Sequence, residues 1–372
     1  MFFASYYMWD FIFNKEEIDG VLYEDCSNVI SYVAYLKCIE YGKKYIAIVQ
    51  SRLPGRLHIF SDLHGTKDVS YLFEEYINSN DINVDDKILQ IYYKMKVNDV
   101  KPDYMKDNPT NISYSIIKHY MRKLNLIWIY LKYYFIEYNQ IKKSYTVKNP
   151  FMNSLKLLER NIKRKLKYNF LRLVSYFEEP DYNEKFLIYP LHFHPEASTS
   201  LHAWPYIDEL SIIKNIAFSL PYGYKLYVKP HPNGVGYEDL RFYQEIKKIP
   251  QVKLIPHYIN TKELIKKSYG VVTLTSTVGF EALMLNKPVF LLGNVFYEVH
   301  PFCIKIDNIK LLYQYLRDGL SRDHKEIDFE YYNKILLKAY YDCTFPAKFD
   351  TSKNQSDENI ENICAQIINI LI

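Results

Sequence analysis

Net charge, cysteine and the common short motifs of nucleotide and hydrolase chemistry are all scarce in this sequence. Its 47 Lys and Arg against 43 Asp and Glu leave a formal charge of only +4 over 372 residues. That surplus is too small for a nucleic-acid footprint, and no zinc-finger spacing, RNA-recognition signature or glycine–arginine tract accompanies it. The five cysteines (Cys26, Cys38, Cys303, Cys343 and Cys364) are scattered, odd in number and without a CxxC pair. This argues against a disulfide framework or a cysteine-held zinc, and fits a reducing compartment. There is no GxGxxG fingerprint, Walker lysine loop, GxSxG elbow or HExxH helix, which removes the commonest dinucleotide, NTPase, hydrolase and metalloprotease readings. The most apolar internal stretch, about 124–138, is broken by Lys132 and Glu137 and is too short to span a bilayer. Residues 1–10 are apolar but lack a basic n-region and a cleavage site, so a buried element of a cytoplasmic protein is expected there.

What is present is an α/β pattern with 48% apolar and 24% charged residues, the balance of a globular chain. The 38 tyrosines, with frequent Lys, Ile and Asn, follow AT-rich codon usage and read mainly as fillers. Residues 1 to about 110 mix short β-rich runs, Gly20-Val21-Leu22-Tyr23 and Tyr45-Ile46-Ala47-Ile48-Val49, with a helical interval at 28–41, as a βαβ unit requires. Residues 112–177 are helical and basic. Leu155, Leu158, Ile162 and Leu166 share one face there, and Lys and Arg fill the others. A solvated packing helix is the plain reading; peripheral contact with the inner face of a membrane is the second. From about 184 the chain alternates strand and helix with short connections, which predicts a parallel, doubly wound sheet. The expected division is a first domain over 1–178 including the basic segment, a second over 179–345, and a loop and helix over 346–372 that pack back on the first.

Two loops of the second domain carry the chemistry. The run Lys225-Leu226-Tyr227-Val228 ends in Lys229-Pro230-His231-Pro232, placing a proline-fixed imidazole at a strand's C-terminal end, where open α/β sheets bind ligands. Such an imidazole can neutralise a leaving phosphate, and Lys229, two residues earlier, is expected near the same mouth. The run Val271-Val272-Thr273-Leu274 ends in Thr275-Ser276-Thr277 before an apolar helix, and hydroxyls and free N–H groups at a helix start suit a phosphate. A structural histidine and an ordinary N-cap are the plain alternatives. Glu281, a turn further on, is either a ribose acceptor or solvated. His192 and His194, two apart with no third ligand, make a poor zinc site, so none is expected. His194 and Glu196 are candidates for a sugar contact or a polar turn. Arg52 and Arg56, in the loop after the second strand, suit a sugar carboxylate or phosphate through bidentate pairing. Asp62 and His64 just beyond are the available general bases, with a solvated loop as their alternative.

At these residues the chain resembles the capsule polysaccharide biosynthesis family, which includes the bacterial β-Kdo transferases. The resemblance is carried by Arg52-Leu53-Pro54-Gly55-Arg56, His194-Pro195-Glu196, Lys229-Pro230-His231-Pro232 and Thr275-Ser276-Thr277-Val278-Gly279-Phe280-Glu281-Ala282-Leu283. Lys287-Pro288-Val289, Gly293 and Tyr297 extend it. It covers about 30–65 and 184–300. It implies a GT-B-like α/β fold of two Rossmann-like, doubly wound domains, here with a basic helical insertion. It also implies that His231 with Pro232, and Ser276 with Thr277, contact the phosphate and nucleotide of a CMP-linked acidic sugar. No cofactor beyond that nucleotide-sugar donor is expected, and the acceptor would be a glycan or glycolipid. The first domain starts late for the family, so one βα unit is expected to be missing or replaced. The competing expectations are a CDP-polyol phosphotransferase of teichoic-acid type, a nucleotide-sugar epimerase, and a non-catalytic scaffold that binds glycan or a partner.

Overall fold

The computed structural model describes residues 2–79, 84–97, 128, 131, 150–192, 196–231, 234, 236–322, 328–348 and 357–371. Its strands form two sheets. The first contains β1 (Gly20–Tyr23), β2 (Lys44–Gln50) and β3 (Arg56–Phe60). The second contains β4 (Lys185–Pro190), β5 (Tyr224–Lys229), β6 (Val252–Leu254), β7 (Gly270–Thr273), β8 (Val289–Leu291) and β9 (Cys303–Lys305). A late strand, β10 (Thr344–Pro346), returns to the first sheet beside β3.

The central strand of the second sheet shows why it reads as an apolar run from Phe186 to Pro190. Along β4, Phe186 and Ile188 join one core with Val271, Leu283, Val289 and Leu291. Leu187 and Tyr189, pointing the other way, join a second core with Leu226, Val228, Val272 and Phe290. A strand buried on both faces has no position left for a polar side chain. All neighbouring pairs in this sheet are parallel, in the order β6-β5-β4-β7-β8-β9. The chain builds outward from β4 to β6, then returns to β4's other side with β7. The boundary between β4 and β7 is therefore the topological switch point, where the connecting loops part and leave a crevice.

The doubly wound pattern expected of both halves is complete in the second sheet and differs in the first. There β1 and β2 are parallel and joined by the helix Val29–Glu40, as expected, with Asn28 and Ser31 forming a capping box at its start. But β3 runs antiparallel to β2, and β10 antiparallel to β3. The physical reason is the connection. The turn 51–55, closed by Gly55 at φ 73°, is too short to hold a crossover helix and only a hairpin fits. The outline remains GT-B-like, with two α/β halves facing each other across a cleft.

Several elements tie the halves together. The helices Lys67–Ser79 and Asp86–Val97 send Val69, Phe73, Ile88 and Tyr92 into the core shared by Leu283, Ile335 and Leu336 of the second half. The last helix, Asp357–Leu371, lays Ile363, Ile367 and Ile370 on Ile46, Ile48 and Leu57 of the first sheet. The basic helix spans Pro150–Leu173. Arg160 and Arg164 lie over the Tyr237 ring, and Lys167 donates to the Glu238 carbonyl at 2.6 Å, so part of its charge braces the loop after β5. Leu155, Ile162 and Leu166 on that helix are exposed. Among the described residues no helix is long and apolar enough to cross a membrane.

Two buried imidazoles set an acid limit on this fold. His58, packed between the Phe60 and Tyr340 rings, is pulled by burial from 6.5 to about 4, and His300 to about 3. Both are neutral when folded, whereas the unfolded chain takes up protons near pH 6.5. Stability therefore falls as pH drops through the window from about 6.5 to 4. For His58 alone the full loss is about 3 kcal/mol. Thermal unfolding followed from pH 7 to 4.5 is expected to show this decline, and His58→Phe is expected to flatten it.

Candidate functional site

The C-terminal ends of β4, β5 and β7 bring the site together. After β4, His192 turns into the switch-point crevice. Its Nδ1–H donates to Glu209 Oε1 at 2.8 Å, and its backbone N–H donates to the same oxygen at 3.0 Å. The Tyr189 hydroxyl adds a third donor at 3.1 Å. Glu209 opens the helix Glu209–Phe218 and is buried, as is the His192 side chain. With Nδ1 holding the proton, Nε2 is left as an acceptor. It lies 3.4 Å from both the Thr275 N–H and the Thr273 hydroxyl of the loop after β7. One imidazole thus ties the two strand ends at the switch point, fixed by a buried carboxylate.

The Thr275-Ser276-Thr277 loop is tightly built. Thr275 donates to the Ser198 carbonyl at 2.9 Å, and the Ser276 N–H donates to Thr273 Oγ1 at 3.0 Å. Ser276 caps the helix Thr277–Met284, its hydroxyl accepting from the Val278 N–H, while the buried Tyr297 hydroxyl donates to the Ser276 carbonyl at 2.6 Å. Thr277 begins the helix. Gly279 is required in its first turn because a Cβ there would stand 2.4 Å from the Tyr297 hydroxyl. Gly293, after β8, is equally constrained, since a Cβ would meet the Leu274 carbonyl at 2.7 Å and the His202 carbonyl at 2.8 Å. Gly293→Ala is expected to push these loops apart and cost about 1–3 kcal/mol, checked by urea unfolding.

His231 lines a small recess beside His192, Glu209, Tyr237 and Tyr243. Burial, then Lys229, then His192 lower its pKa, so the ring rests neutral. Lys229, expected at the same mouth, is buried and donates to the His257 carbonyl at 3.0 Å. Burial brings its ammonium down to about 8, while the exposed Glu281 across on the helix Thr277–Met284 pulls the other way. Pro232 and His194 lie outside the described residues. Glu196 is exposed and accepts from the Ser198 hydroxyl at 3.2 Å in a turn.

Facing these loops is a cleft of about 730 Å³ between the halves. The first half contributes Glu24, Asp25, Gln50, Arg52 and His64, and the second His202, Thr275 and Asn294. The two arginines of the 52–56 loop have separate places. Arg52 lines the cleft, with its backbone N–H donating to the Tyr340 hydroxyl at 2.9 Å. Arg56 is turned instead to the end of the helix Phe329–Asp342. It donates to Thr344 Oγ1 at 2.7 Å and to the Tyr341 carbonyl at 3.1 Å, and stacks on the Tyr341 ring. That engagement braces β3 and leaves its guanidinium away from the cleft. Asp62 accepts the backbone N–H groups of His64 and Thr66 at 3.2 and 3.1 Å, shaping the loop that holds His64. His64 Nδ1 lies 2.8 Å from His202 Nδ1, and its pKa is lowered to about 4, first by burial and then by His202. Sequence reasoning did not single out Asp25, His202, Glu209 or Asn294. Each is a lone residue in its own loop or helix start, without a local pattern to mark it. Among the described residues, no three His, Cys, Asp or Glu side chains gather as a metal site.

A parallel sheet with polar loops converging at its switch point, set across a cleft from a second α/β half, defines a GT-B-like α/β protein. Residues 177–303 match the family described as capsule polysaccharide biosynthesis protein. Over that segment, about a third of its length, the chain is similar to that family. Capsule polysaccharide modification protein LipB of Neisseria meningitidis, from serogroups A and B, is 26% identical over 125 residues. That match spans 31% of this chain and 29% of the relative, under a third of either. Among solved structures, KpsC of Thermosulfurimonas dismutans is similar at 15% identity in two forms. The β-Kdo 2,7 transferase form has a TM-score of 0.43, over 97% of this chain and 88% of that one. The β-Kdo 2,4 transferase form has a TM-score of 0.47, over 95% and 87%. A UDP-GlcNAc 2-epimerase from Methanocaldococcus jannaschii also aligns, at 15% identity and a TM-score of 0.31, over 91% and 82%.

Proposed function

We propose that this protein is a glycosyltransferase of capsule or lipopolysaccharide-type surface polysaccharide synthesis, using an acidic sugar such as Kdo carried on CMP. The observation that carries the reading is the convergence of His192, Thr275, Ser276 and Thr277 on the β4/β7 crevice, with His231 in the recess beside it. In this reading the nucleotide phosphate sits at that crevice, where hydroxyls, backbone N–H groups and the helix start stabilise its charge. His231 rests neutral and gains a proton when the phosphate arrives, so it supports the leaving group as the glycosidic bond to phosphate breaks. Arg52, across the cleft, pairs with the sugar carboxylate. These residues supply the charge stabilisation themselves, and the reading needs no metal. The glycan or glycolipid acceptor enters from the first half, whose face of the cleft includes the apolar Leu22, Tyr23 and Ile48. The exposed apolar row on the basic helix supports peripheral contact with the inner face of the membrane during that step.

The test is a transfer assay on the full chain with CMP-Kdo and a Kdo-terminated glycolipid acceptor, following release of CMP and the mass of the acceptor. The reading expects equal amounts of CMP and of an acceptor heavier by one sugar. Reaction with a CDP-polyol instead would favour the polyol-phosphate transferase, and rearrangement of a nucleotide sugar without acceptor would favour an epimerase.

A further inference from the structure

The helix Pro150–Leu173 presents two different faces. At about 100° per residue, Leu155, Ile162, Leu166, Phe170 and Leu173 fall within one arc of about 80°. All five are exposed, Leu166 at 63% and Leu173 at 82%. Exposed cations border this ridge, Lys156 and Lys163 to one side and Lys165 and Arg172 to the other. Glu159 is the one acidic residue of the helix, and Lys163 answers its charge at 2.6 Å. A row of apolar side chains between two rows of cations matches the boundary of an anionic phospholipid leaflet, where acyl chains lie beneath charged phosphates.

The opposite face of the helix grips the loops after β5 and β6. Leu171 is fully buried in the core that includes Tyr243. Tyr168 stands edge-on to the His257 ring at 5.2 Å, and the His257 carbonyl is the acceptor for Lys229. Arg160 and Arg164 lie over the Tyr237 ring, and Lys167 donates to the Glu238 carbonyl. Gly236, at φ 72°, lies so close that a Cβ there would stand 2.5 Å from the Arg164 carbonyl. Tyr237 and Glu238 line the His231 recess. That wall rests against the helix, so whatever holds the helix also holds the recess. A surface on the ridge lies about one helix diameter, 10–12 Å, from it.

We propose that the helix Pro150–Leu173 docks on an anionic phospholipid surface through the ridge from Leu155 to Leu173, and that docking tightens the His231 recess through Gly236, Tyr237 and Glu238. The coupling rests on the reading of that recess as part of the nucleotide site. Docking fixes the helix in advance, so less ordering is left for the nucleotide to impose. The two ligands then strengthen each other reciprocally. Donor binding is favoured at the surface where a glycolipid acceptor resides.

Vesicle co-sedimentation of the full chain tests the docking. Binding is expected to vesicles of equal phosphatidylglycerol and phosphatidylcholine, and to weaken with added salt. On pure phosphatidylcholine it is expected to be at least about 10-fold weaker. Leu166→Glu combined with Leu173→Glu is expected to weaken it at least about 10-fold, and Lys165→Gln with Arg172→Gln by about 10- to 30-fold. On the charged vesicles, hydrogen exchange over residues 236–243 is expected to slow and CMP affinity to rise about 5-fold or more, with neither change in the L166E/L173E protein. No binding to charged vesicles, equal binding by the ridge variant, or a ridge covered by self-association without lipid would overturn the docking. Docked protein whose CMP affinity stays within about 2-fold of its lipid-free value would overturn the coupling. If CMP does not bind at all, the nucleotide reading fails. Sedimentation still decides the docking, and hydrogen exchange over 236–243 decides whether the recess wall tightens.

Discussion

His231→Ala is expected to lower sugar transfer by about 10²-fold or more while leaving the unfolding temperature nearly unchanged. The ring sits in a recess at a loop, at the end of β5, where it borders Leu191 and Tyr243 at the margin of one core, so its removal opens space at a core edge rather than inside it. Its catalytic weight in the account is much larger. Burial and the neighbouring Lys229 and His192 keep the free ring neutral, because each disfavours a positive charge there. A phosphate dianion in the crevice reverses that balance. Nucleotide binding is then coupled to proton uptake, and affinity for CMP is expected to rise as pH falls from 8 toward 6. Titration calorimetry in buffers of different ionisation enthalpy checks the coupling. In His231→Ala the affinity is expected to lose that pH slope as well as its strength.

The largest stability effect is expected at Glu209. Its buried Oε1 accepts from the Tyr189 hydroxyl, the His192 N–H and His192 Nδ1. Glu209→Ala strands three donors in the interior and is expected to cost about 3–5 kcal/mol. Glu209→Gln keeps an acceptor oxygen and should cost less, about 1–3 kcal/mol. Urea unfolding of both variants measures the difference. Glu209→Ala also frees the His192 ring from its tautomer, so phosphate-loop order should fall with stability. A Glu209→Ala protein as stable as its parent would show that the carboxylate does not organise the switch point.

The second half was the more legible part of this chain. Its strands are short, mostly apolar runs with turns between them, and the burial of alternate β4 residues in opposite cores explains why no polar residue interrupts that central strand. The placement of His231 and of Thr275-Ser276-Thr277 at strand ends followed from the same pattern. The first half was harder. Whether Tyr45–Val49 is followed by a crossover or a hairpin depends on a turn of a few residues, and β10, which completes that sheet, comes from almost 300 residues later. The same distant strand region separates Arg52 from Arg56. Thr344 and Tyr341 draw Arg56 aside, and nothing near position 56 announces it. The spacing of two residues predicts Lys229 at the same mouth as His231, but in β5 it is buried and turned to the His257 carbonyl. Asp25, His202 and Asn294 carry no local signal at all. They become a group only when three loops from two halves meet.

The central claim is that the β4/β7 crevice and the His231 recess together bind a CMP-linked donor. Thermal unfolding of the full chain with CMP, CDP and UDP, each at the same concentration, tests it most directly. A ligand at 100 times its dissociation constant adds about 2.7 kcal/mol, which is a clear upward shift. The account predicts that shift for CMP, with CDP and UDP well behind. A larger shift with CDP or UDP, or no shift with any of the three, would contradict it.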